Sequence, residues 1–201
     1  MRTVRLPKPF GPGEVERVIA TAQASRPDVA AAMVLLLESG LRIAEACSIT
    51  SEEARSWPEP PWWCRRRTCR RHSWSTAIVG KGDRERRIAL TPAALRASRT
   101  LLGVTTNGTL IPWTDRGVRY LFERVGAQVG IHVHPHRFRH QFAQEMIDAG
   151  VPVELVADMM GHSTTEITRL YFGASHTRQL EAMRVRHRRR LRPSARLSLL
   201  R

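Results

Sequence analysis

The 201-residue sequence is poor in cysteine, in long apolar runs and in acidic side chains. Three scattered cysteines suggest no disulfide framework and favour a reducing compartment. The longest apolar run, AAMVLLL, is too short to span a membrane, and the N-terminus lacks the apolar region and cleavage site of a signal peptide. These absences predict a soluble cytoplasmic protein with one main core and no membrane partner.

Positive charge, by contrast, is plentiful. The chain has 33 Lys and Arg against 18 Asp and Glu, which gives a formal net charge of +15. Only Lys8 and Lys81 are lysines. A GC-rich genome explains arginine in place of lysine, but it does not explain the surplus over acidic residues. Nucleic acid is therefore the expected partner, because neutralising its phosphates releases counterions.

Hydrophobic periodicity and capping signals predict a mostly helical fold with a small antiparallel β-sheet, an α+β arrangement. The stretch STAIVGKGDRERRIALT predicts a β-hairpin, whereas the pattern dissolves between Ser51 and Arg71. The spacing of Ser163 and Glu166 predicts a capping box for a helix that carries Tyr171. Other helices are expected after Pro12, from an N-cap at Asp28 to Gly40, and over 42–49, 92–102, 115–125, 135–149 and 152–160.

The stretch HPHRFRHQFA concentrates basic side chains at a predicted helix start. Pro135 suits the first helical position, which puts His136, Arg139 and His140 on one face at i, i+3 and i+4. Free N–H groups and the helix dipole already attract anions there. The pattern favours a phosphate site, and the alternative is a solvated basic face with one core histidine.

Two further residues stand out by their setting. Arg42 follows the predicted cap at Gly40, where a buried guanidinium needs an anionic partner, and Glu45 at i+3 is placed to orient it. Lys81 lies at the tip of GKGD in a chain that otherwise uses arginine. An ammonium can donate a proton where a guanidinium hardly ever does, so Lys81 is a candidate general acid. The alternative is a solvated turn lysine.

Four stretches in this order resemble the catalytic domain of the tyrosine recombinase (phage integrase) family: GLRIAEACSIT, GKGDRERRIAL, HPHRFRHQFA and MMGHSTTEITRLYF. The resemblance covers roughly residues 8–175, except for 51–73. It implies that Arg42 and Arg139 are the two phosphate-clamping arginines and that Lys81 is the hairpin lysine. His136 and His162 would be the two active-site histidines, with Glu45 as a supporting acid and His140 as a supporting histidine. Tyr171 would be the nucleophile.

The resemblance implies the fold of that catalytic domain and the activity of a site-specific DNA recombinase or integrase. Tyr171 would attack a phosphodiester, His136 would accept its proton, and Lys81 would protonate the departing 5′-oxygen. The covalent 3′-phosphotyrosyl bond conserves the energy of the broken link, so neither a metal nor another cofactor is expected. The implied partners are double-stranded DNA and further copies of the chain, as a homo-tetramer on paired sites in the nucleoid.

For domain organisation we expect residues 1–175 to form the catalytic domain and 176–201 a basic C-terminal helix or tail. We expect the sequence to lack the family's N-terminal core-binding domain, either as a fragment or as in the short fimbrial phase-switch recombinases. Leu180 and Met183 make only a narrow apolar stripe, thin for packing on its own domain. We therefore expect the tail to dock in trans on a neighbour, the alternative being a basic arm that only adds DNA affinity.

Other functions remain open at this point. A helix-turn-helix regulator fits PVELVADMMGHSTTEITRLY and the charge, but leaves Lys81 and the H-x-x-R-H box unexplained. A type IB topoisomerase-like enzyme would share the cleavage chemistry without synapsis of two sites. The stretch CRRRTC with His72 suggests zinc, but a fourth ligand is missing and we expect no metal. Trp62 and Trp63 beside the arginines are a candidate DNA-contacting loop.

Overall fold

The computed structural model describes residues 10–57, 75–79 and 85–161, together with 183, 184, 186 and 187. The expectation of a mostly helical chain is confirmed. Within these residues the elements are α1 (Glu14–Ser25), α2 (Pro27–Ser39), α3 (Ile43–Ser48), α4 (Ser51–Arg55), β1 (Ser75–Val79), β2 (Glu85–Ala89), α5 (Pro92–Leu102), α6 (Asp115–Gln128), α7 (Pro135–Asp148) and α8 (Val153–Met160).

Helix α2 is the centre of the fold and packs against α1, α5 and α7. Every side chain from Val29 to Ser39 is buried, as an almost wholly apolar helix requires. The predicted N-cap at Asp28 is wrong, because Pro27 takes the first helical position and Arg26 becomes the N-cap. The Asp28 carboxylate instead accepts hydrogen bonds from the Arg26 guanidinium and the Val29 N–H.

The C-terminal end of α2 lies against α7. Gly40 ends the helix with φ +66°, a left-handed conformation that suits glycine. A β-carbon placed on Gly40 would come within 2.5 Å of the Phe142 ring on α7. Glycine is therefore required here both for its backbone conformation and for this close approach.

Two clusters of buried apolar side chains form the core. The larger one joins α1, α2, α5 and α6 with the start of α7 at Phe138. The smaller one joins the second half of α7 to α8 and includes Phe142, Met146, Met160 and Met183. The expectation that the tail stripe is too thin to pack on its own domain is wrong at Met183, which is 1% exposed in this cluster.

Helix α4 lies where no periodic pattern was found. The Thr50 side chain accepts from the Glu53 N–H, and the Glu53 carboxylate accepts from the Thr50 N–H, which is a complete capping box. The backbone beside it pairs with the loop before α6, through a bridge between Thr50 and Thr109. The T-x-x-E pattern in the sequence is the signal for this capping box, and the prediction missed the helix that it starts.

Strands β1 and β2 pair antiparallel, with Ser75 opposite Ala89 and Val79 opposite Glu85. The tip of this pair, including Lys81, lies outside the described residues. Within the described part of the chain, no helix is both long enough and apolar enough to cross a membrane.

Candidate active site

The start of α7 presents the H-x-x-R-H box in two directions. Pro135 occupies the first helical position, as predicted, with His134 as the N-cap. His136 is exposed, and its ring meets the His140 ring edge-on at a centroid distance of 4.4 Å. Arg139 turns inward and is buried. The predicted face thus splits into a histidine pair near the surface and an arginine beneath it.

Arg139 is held by backbone carbonyls from two distant elements. Its side chain is 1% exposed. Nη1 donates to the Gly40 carbonyl oxygen at 2.5 Å, and Nη2 donates to the Met160 carbonyl oxygen at the end of α8. Glu45 Oε2 lies 4.0 Å from Nη1. The buried positive charge of Arg139 therefore faces two carbonyl dipoles and a carboxylate, the partners that burial of a guanidinium demands.

Arg42 approaches the same place from the start of α3. Its Nη1 forms a 2.7 Å ion pair with Glu45 Oε1, and its backbone N–H donates to Glu45 Oε2 at 2.7 Å. Its Nη2 donates to the Gly161 carbonyl oxygen, also at 2.7 Å. The predicted orientation of Arg42 by Glu45 is thus present, and a third of the Arg42 side chain remains exposed.

Glu45 is the link between the two arginines. It is 4% exposed, contacts Arg42 directly and lies beside Arg139. The arginines in turn hold two consecutive carbonyls, those of Met160 and Gly161. Three of the predicted site residues, the local pair Arg42 and Glu45 and the distant Arg139, are therefore brought together at the end of α8.

His140 is half-buried and follows Arg139 directly in the chain. Burial, and then the positive charge of Arg139, lower the pKa of His140 below its ordinary value. Its Nε2 is buried and has no hydrogen-bond partner among the described residues. The His134 pKa is lowered as well, first by burial and then by His132 and other nearby positive groups. Both shifts favour the neutral form of the ring.

Three predicted site residues, Lys81, His162 and Tyr171, lie outside the described part of the chain. Among the residues that are described, no group of three or more His, Cys, Asp or Glu is arranged to hold a metal ion. The half-buried Cys47 is not a candidate nucleophile, because burial raises the pKa of its thiol to about 11.

Sequence reasoning missed an exposed, arginine-containing face on α6. Val118, Phe122 and Val125 point into the core, and this 3.6-residue period was the signal that the opposite face is free. The exposed face carries Tyr120, 57% exposed, with the Arg124 guanidinium 5.8 Å from the centre of its ring. Its further arginines are Arg116 and Arg119.

The chain matches the model of the phage integrase family over residues 10–178. A similar relative is the tyrosine recombinase XerC of Corynebacterium efficiens, 26% identical over an alignment covering 92% of this chain and 60% of the relative.

Solved structures show the same fold. The integrase from mycobacterium phage Brujita superposes with a TM-score of 0.63 at 19% identity, over 100% of this chain and 66% of that one. The Tn1549 transposon integrase in complex with circular intermediate DNA gives 0.59 at 18% identity, over 85% and 62%.

This chain spans about 60% of the length of the XerC relative. The family match extends from the first described helix to beyond Tyr171, and so includes both arginines, the buried acid and the histidine pair. The chain belongs to the phage integrase family.

Proposed function

We propose that this chain is the catalytic part of a site-specific DNA recombinase or integrase that cleaves and rejoins DNA through a 3′-phosphotyrosyl intermediate. The observation that carries the proposal is the convergence of Arg42 and Arg139 on one buried carboxylate, Glu45. Two fixed guanidinium groups match the bidentate geometry of a phosphate and stabilise charge on its non-bridging oxygens. Family membership supplies the reaction class.

Binding of a phosphate by Arg42 and Arg139 requires a local rearrangement. Arg139 is 1% exposed, and both of its terminal nitrogens donate to carbonyl oxygens. A carbonyl oxygen is a weaker partner than a phosphate oxygen, because hydrogen bonds to an ionised group are stronger. We propose that a DNA phosphate displaces the carbonyls of Met160 and Gly161 from the two arginines. The end of α8 would then move as DNA seats.

The proposed chemistry is a transesterification that needs no further reactant. The Tyr171 phenol oxygen attacks the phosphorus, and the bond from phosphorus to the 5′-oxygen breaks. His136, which is exposed at the start of α7, accepts the phenol proton. Lys81 donates a proton to the departing 5′-oxygen, and His162 joins the arginines on the phosphate. A free 5′-hydroxyl of another strand reverses the same steps, which releases the tyrosine.

Double-stranded DNA is the proposed partner. The net charge of +15 favours a polyanion, and the exposed α6 face with Arg116, Arg124 and Tyr120 offers both cations and an aromatic ring. The Tn1549 integrase was solved in complex with DNA. We further propose a tetramer on paired sites, in a protein that resides with the nucleoid.

Residues 1–175 are the proposed catalytic domain and 176–201 the proposed tail. Docking of the tail in trans remains our proposal for the assembled state, although Met183 and Arg186 pack on their own chain here. The pocket that Arg186 fills contains the buried carboxylate of Glu38. An exchange between protomers therefore requires that the Arg186 of a neighbour refill the same pocket, because an unpaired buried carboxylate is costly.

The test begins with a duplex site selected from random DNA by binding to this protein. A supercoiled plasmid with two copies of that site is then incubated with the protein. A recombinase yields inverted or excised products, whereas a topoisomerase-like enzyme relaxes the plasmid without exchange. Binding without either outcome would contradict the proposal and favour a non-catalytic regulator.

A further inference from the structure

The first described residues of the chain lie against α7. The Phe10 ring packs on the Phe138 ring at a centroid distance of 5.0 Å, and the Phe10 N–H donates to Gln141 Oε1 at 3.1 Å. Phe10 is 8% exposed, so this contact is part of the core. Residues 10–14, which we call the entry segment, are thus attached to the helix that carries His136 and Arg139.

Arg137 of α7 also contacts the entry segment. Its guanidinium carbon lies 4.1 Å from the centre of the Phe10 ring. Its Nη2 forms a 2.9 Å ion pair with Glu14 Oε2, which also accepts the Gly11 N–H at 2.9 Å. Its Nη1 donates to the His132 carbonyl oxygen at 2.5 Å. One side chain therefore joins the entry segment, the loop before α7 and α7 itself.

The ion pair is better protected than an ordinary surface pair. The Arg137 side chain is 13% exposed and the Glu14 side chain 29%. The Gly11 N–H, together with Arg137, lowers the pKa of the Glu14 carboxyl despite partial burial. Both charges are therefore present at neutral pH and act through a partly desolvated contact, where a pair is stronger than in open solvent.

The attachment points are close to the proposed chemistry. Arg137 directly follows His136 and precedes Arg139 by two positions. Arg137 and Gln141 are one helical turn apart, so the entry segment contacts α7 along one stripe. Contacts along a stripe fix the rotation of a helix about its axis. That rotation decides whether Arg139 points at Gly40 and whether His136 points outward.

We propose that Arg137 is a positioning residue, and that its pair with Glu14 couples the entry segment to the active-site geometry of α7. The inference rests on the proposed function and adds to it a route of regulation. A displacement of residues 10–14 rotates α7 and slows strand cleavage, while DNA affinity is unchanged. Neither Arg137 nor Glu14 contacts the reacting atoms in this account.

The test measures two quantities on a nicked duplex of the selected site: the single-turnover cleavage rate at saturating protein, and the dissociation constant. Glu14→Gln and Arg137→Gln should each slow cleavage by about 10-fold, because small misplacements of catalytic groups have large effects on rate. The dissociation constants should stay within about 2-fold, since one phosphate contact at most is involved. Arg137→Lys, which keeps the charge, should recover part of the rate.

The double variant Glu14→Gln/Arg137→Gln separates positioning from general destabilisation. If the two residues act as a pair, the double variant should be no slower than the slower single variant. Arg26→Gln is the matched control, because it breaks an exposed ion pair with Asp28 at the opposite end of α2 from Gly40. Its cleavage rate should equal that of the wild type.

Three results would overturn the inference: wild-type rates in both single variants, losses of rate and affinity in equal proportion, or additive effects in the double variant. Circular dichroism and thermal melting monitor folding. Should Arg137→Gln fail to fold, Glu14→Gln and Arg137→Lys carry the test alone, and a wild-type rate in both contradicts it. Failure of the proposed function is distinguishable, because the wild-type protein itself would then form no covalent product.

Discussion

Arg139 and Gly40 are 99 positions apart in the chain, yet the Arg139 guanidinium donates a 2.5 Å hydrogen bond to the Gly40 carbonyl oxygen. Gly40 ends the most buried helix of the fold, and Arg139 lies on the helix that packs across it. The core helix α2 therefore sets the position of an arginine that we assign to the phosphate clamp. A change at this contact should therefore affect both the stability of the fold and the cleavage of DNA.

Substitution of Gly40 by alanine should cost both stability and cleavage. The left-handed backbone costs an L-residue roughly 1–2 kcal/mol, and the new β-carbon meets the Phe142 ring at 2.5 Å, which adds about 1–3 kcal/mol of overpacking. Gly130→Ala is the matched control, because Gly130 has φ +67° and open space around it. Urea unfolding of both variants isolates the cost of the clash with Phe142. Equal losses in the free energy of unfolding would contradict the close approach of Gly40 to Phe142.

Arg42→Ala should slow strand cleavage far more than it weakens DNA binding. One preorganised donor in a transition state contributes on the order of 10²–10³ in rate, whereas one phosphate contact among many changes affinity modestly. Arg124→Ala, on the exposed face of α6, should show the opposite balance. Single-turnover rates and dissociation constants measure both, and proportional losses in Arg42→Ala would reduce Arg42 to a DNA-holding residue.

Arg186 should matter for stability of the isolated chain. It is 2% exposed and donates to Glu38 Oε2 at 2.8 Å and to Glu145 Oε2 at 3.0 Å. Removing one partner of a buried ion pair typically costs about 3–5 kcal/mol, because the other charge is left uncompensated. Arg186→Met should therefore lower the free energy of unfolding by that order.

The control for Arg186 is Arg184→Met, a neighbouring arginine that is only half-buried. Urea unfolding at a concentration where the protein is monomeric distinguishes two roles of the tail. A large loss in Arg186→Met alone means that the tail packs on its own chain before assembly. An unchanged monomer that loses cooperative DNA binding would mean that the pocket is filled only by a neighbour.

The lowered pKa of His140 predicts how stability depends on pH. The folded state resists protonation of this ring, so between its lowered pKa and about 6.5 the unfolded chain binds more protons. The contribution to stability is complete above about pH 7, declines as the pH falls through 6.5, and is lost below the folded pKa. His140→Gln should flatten this slope in urea unfolding between pH 5 and 8, whereas the His134 contribution, which has the same sign, should remain.

NMR titration of the His140 ring tests the same shift directly. A midpoint below that of an unfolded peptide agrees with the account. A midpoint at or above it would mean that the ring is solvated or has gained an anionic partner, and the predicted acid-side slope would disappear.

Local signals predicted much of the fold. Thr91 with Pro92, Pro135, and the glycines at 40, 150 and 161 mark helix ends that the structure has within a residue. Where two local signals compete, prediction failed. Asp28 is a good N-cap by type, but Pro27 before it is a better first helical residue, and so the helix starts earlier.

Long-range contacts were beyond sequence reasoning. The burial of Arg139 depends on carbonyls of Gly40 and Met160, which no local pattern announces. The packing of Arg186 depends on Glu38, 148 positions away. By contrast, the pair of Arg42 and Glu45 was predicted, because a spacing of i+3 on one helix is local.

The most direct measurement of the central claim is covalent trapping on a duplex nicked beside the scissile phosphate of the selected site. The chain has two tyrosines, and Tyr120 is the natural control for Tyr171, because it lies exposed on α6. We expect a denaturation-resistant protein–DNA adduct from the wild type and from Tyr120→Phe, and none from Tyr171→Phe. Equal adduct yields from Tyr171→Phe and the wild type, or loss of the adduct only in Tyr120→Phe, would contradict the assignment of Tyr171 as the nucleophile.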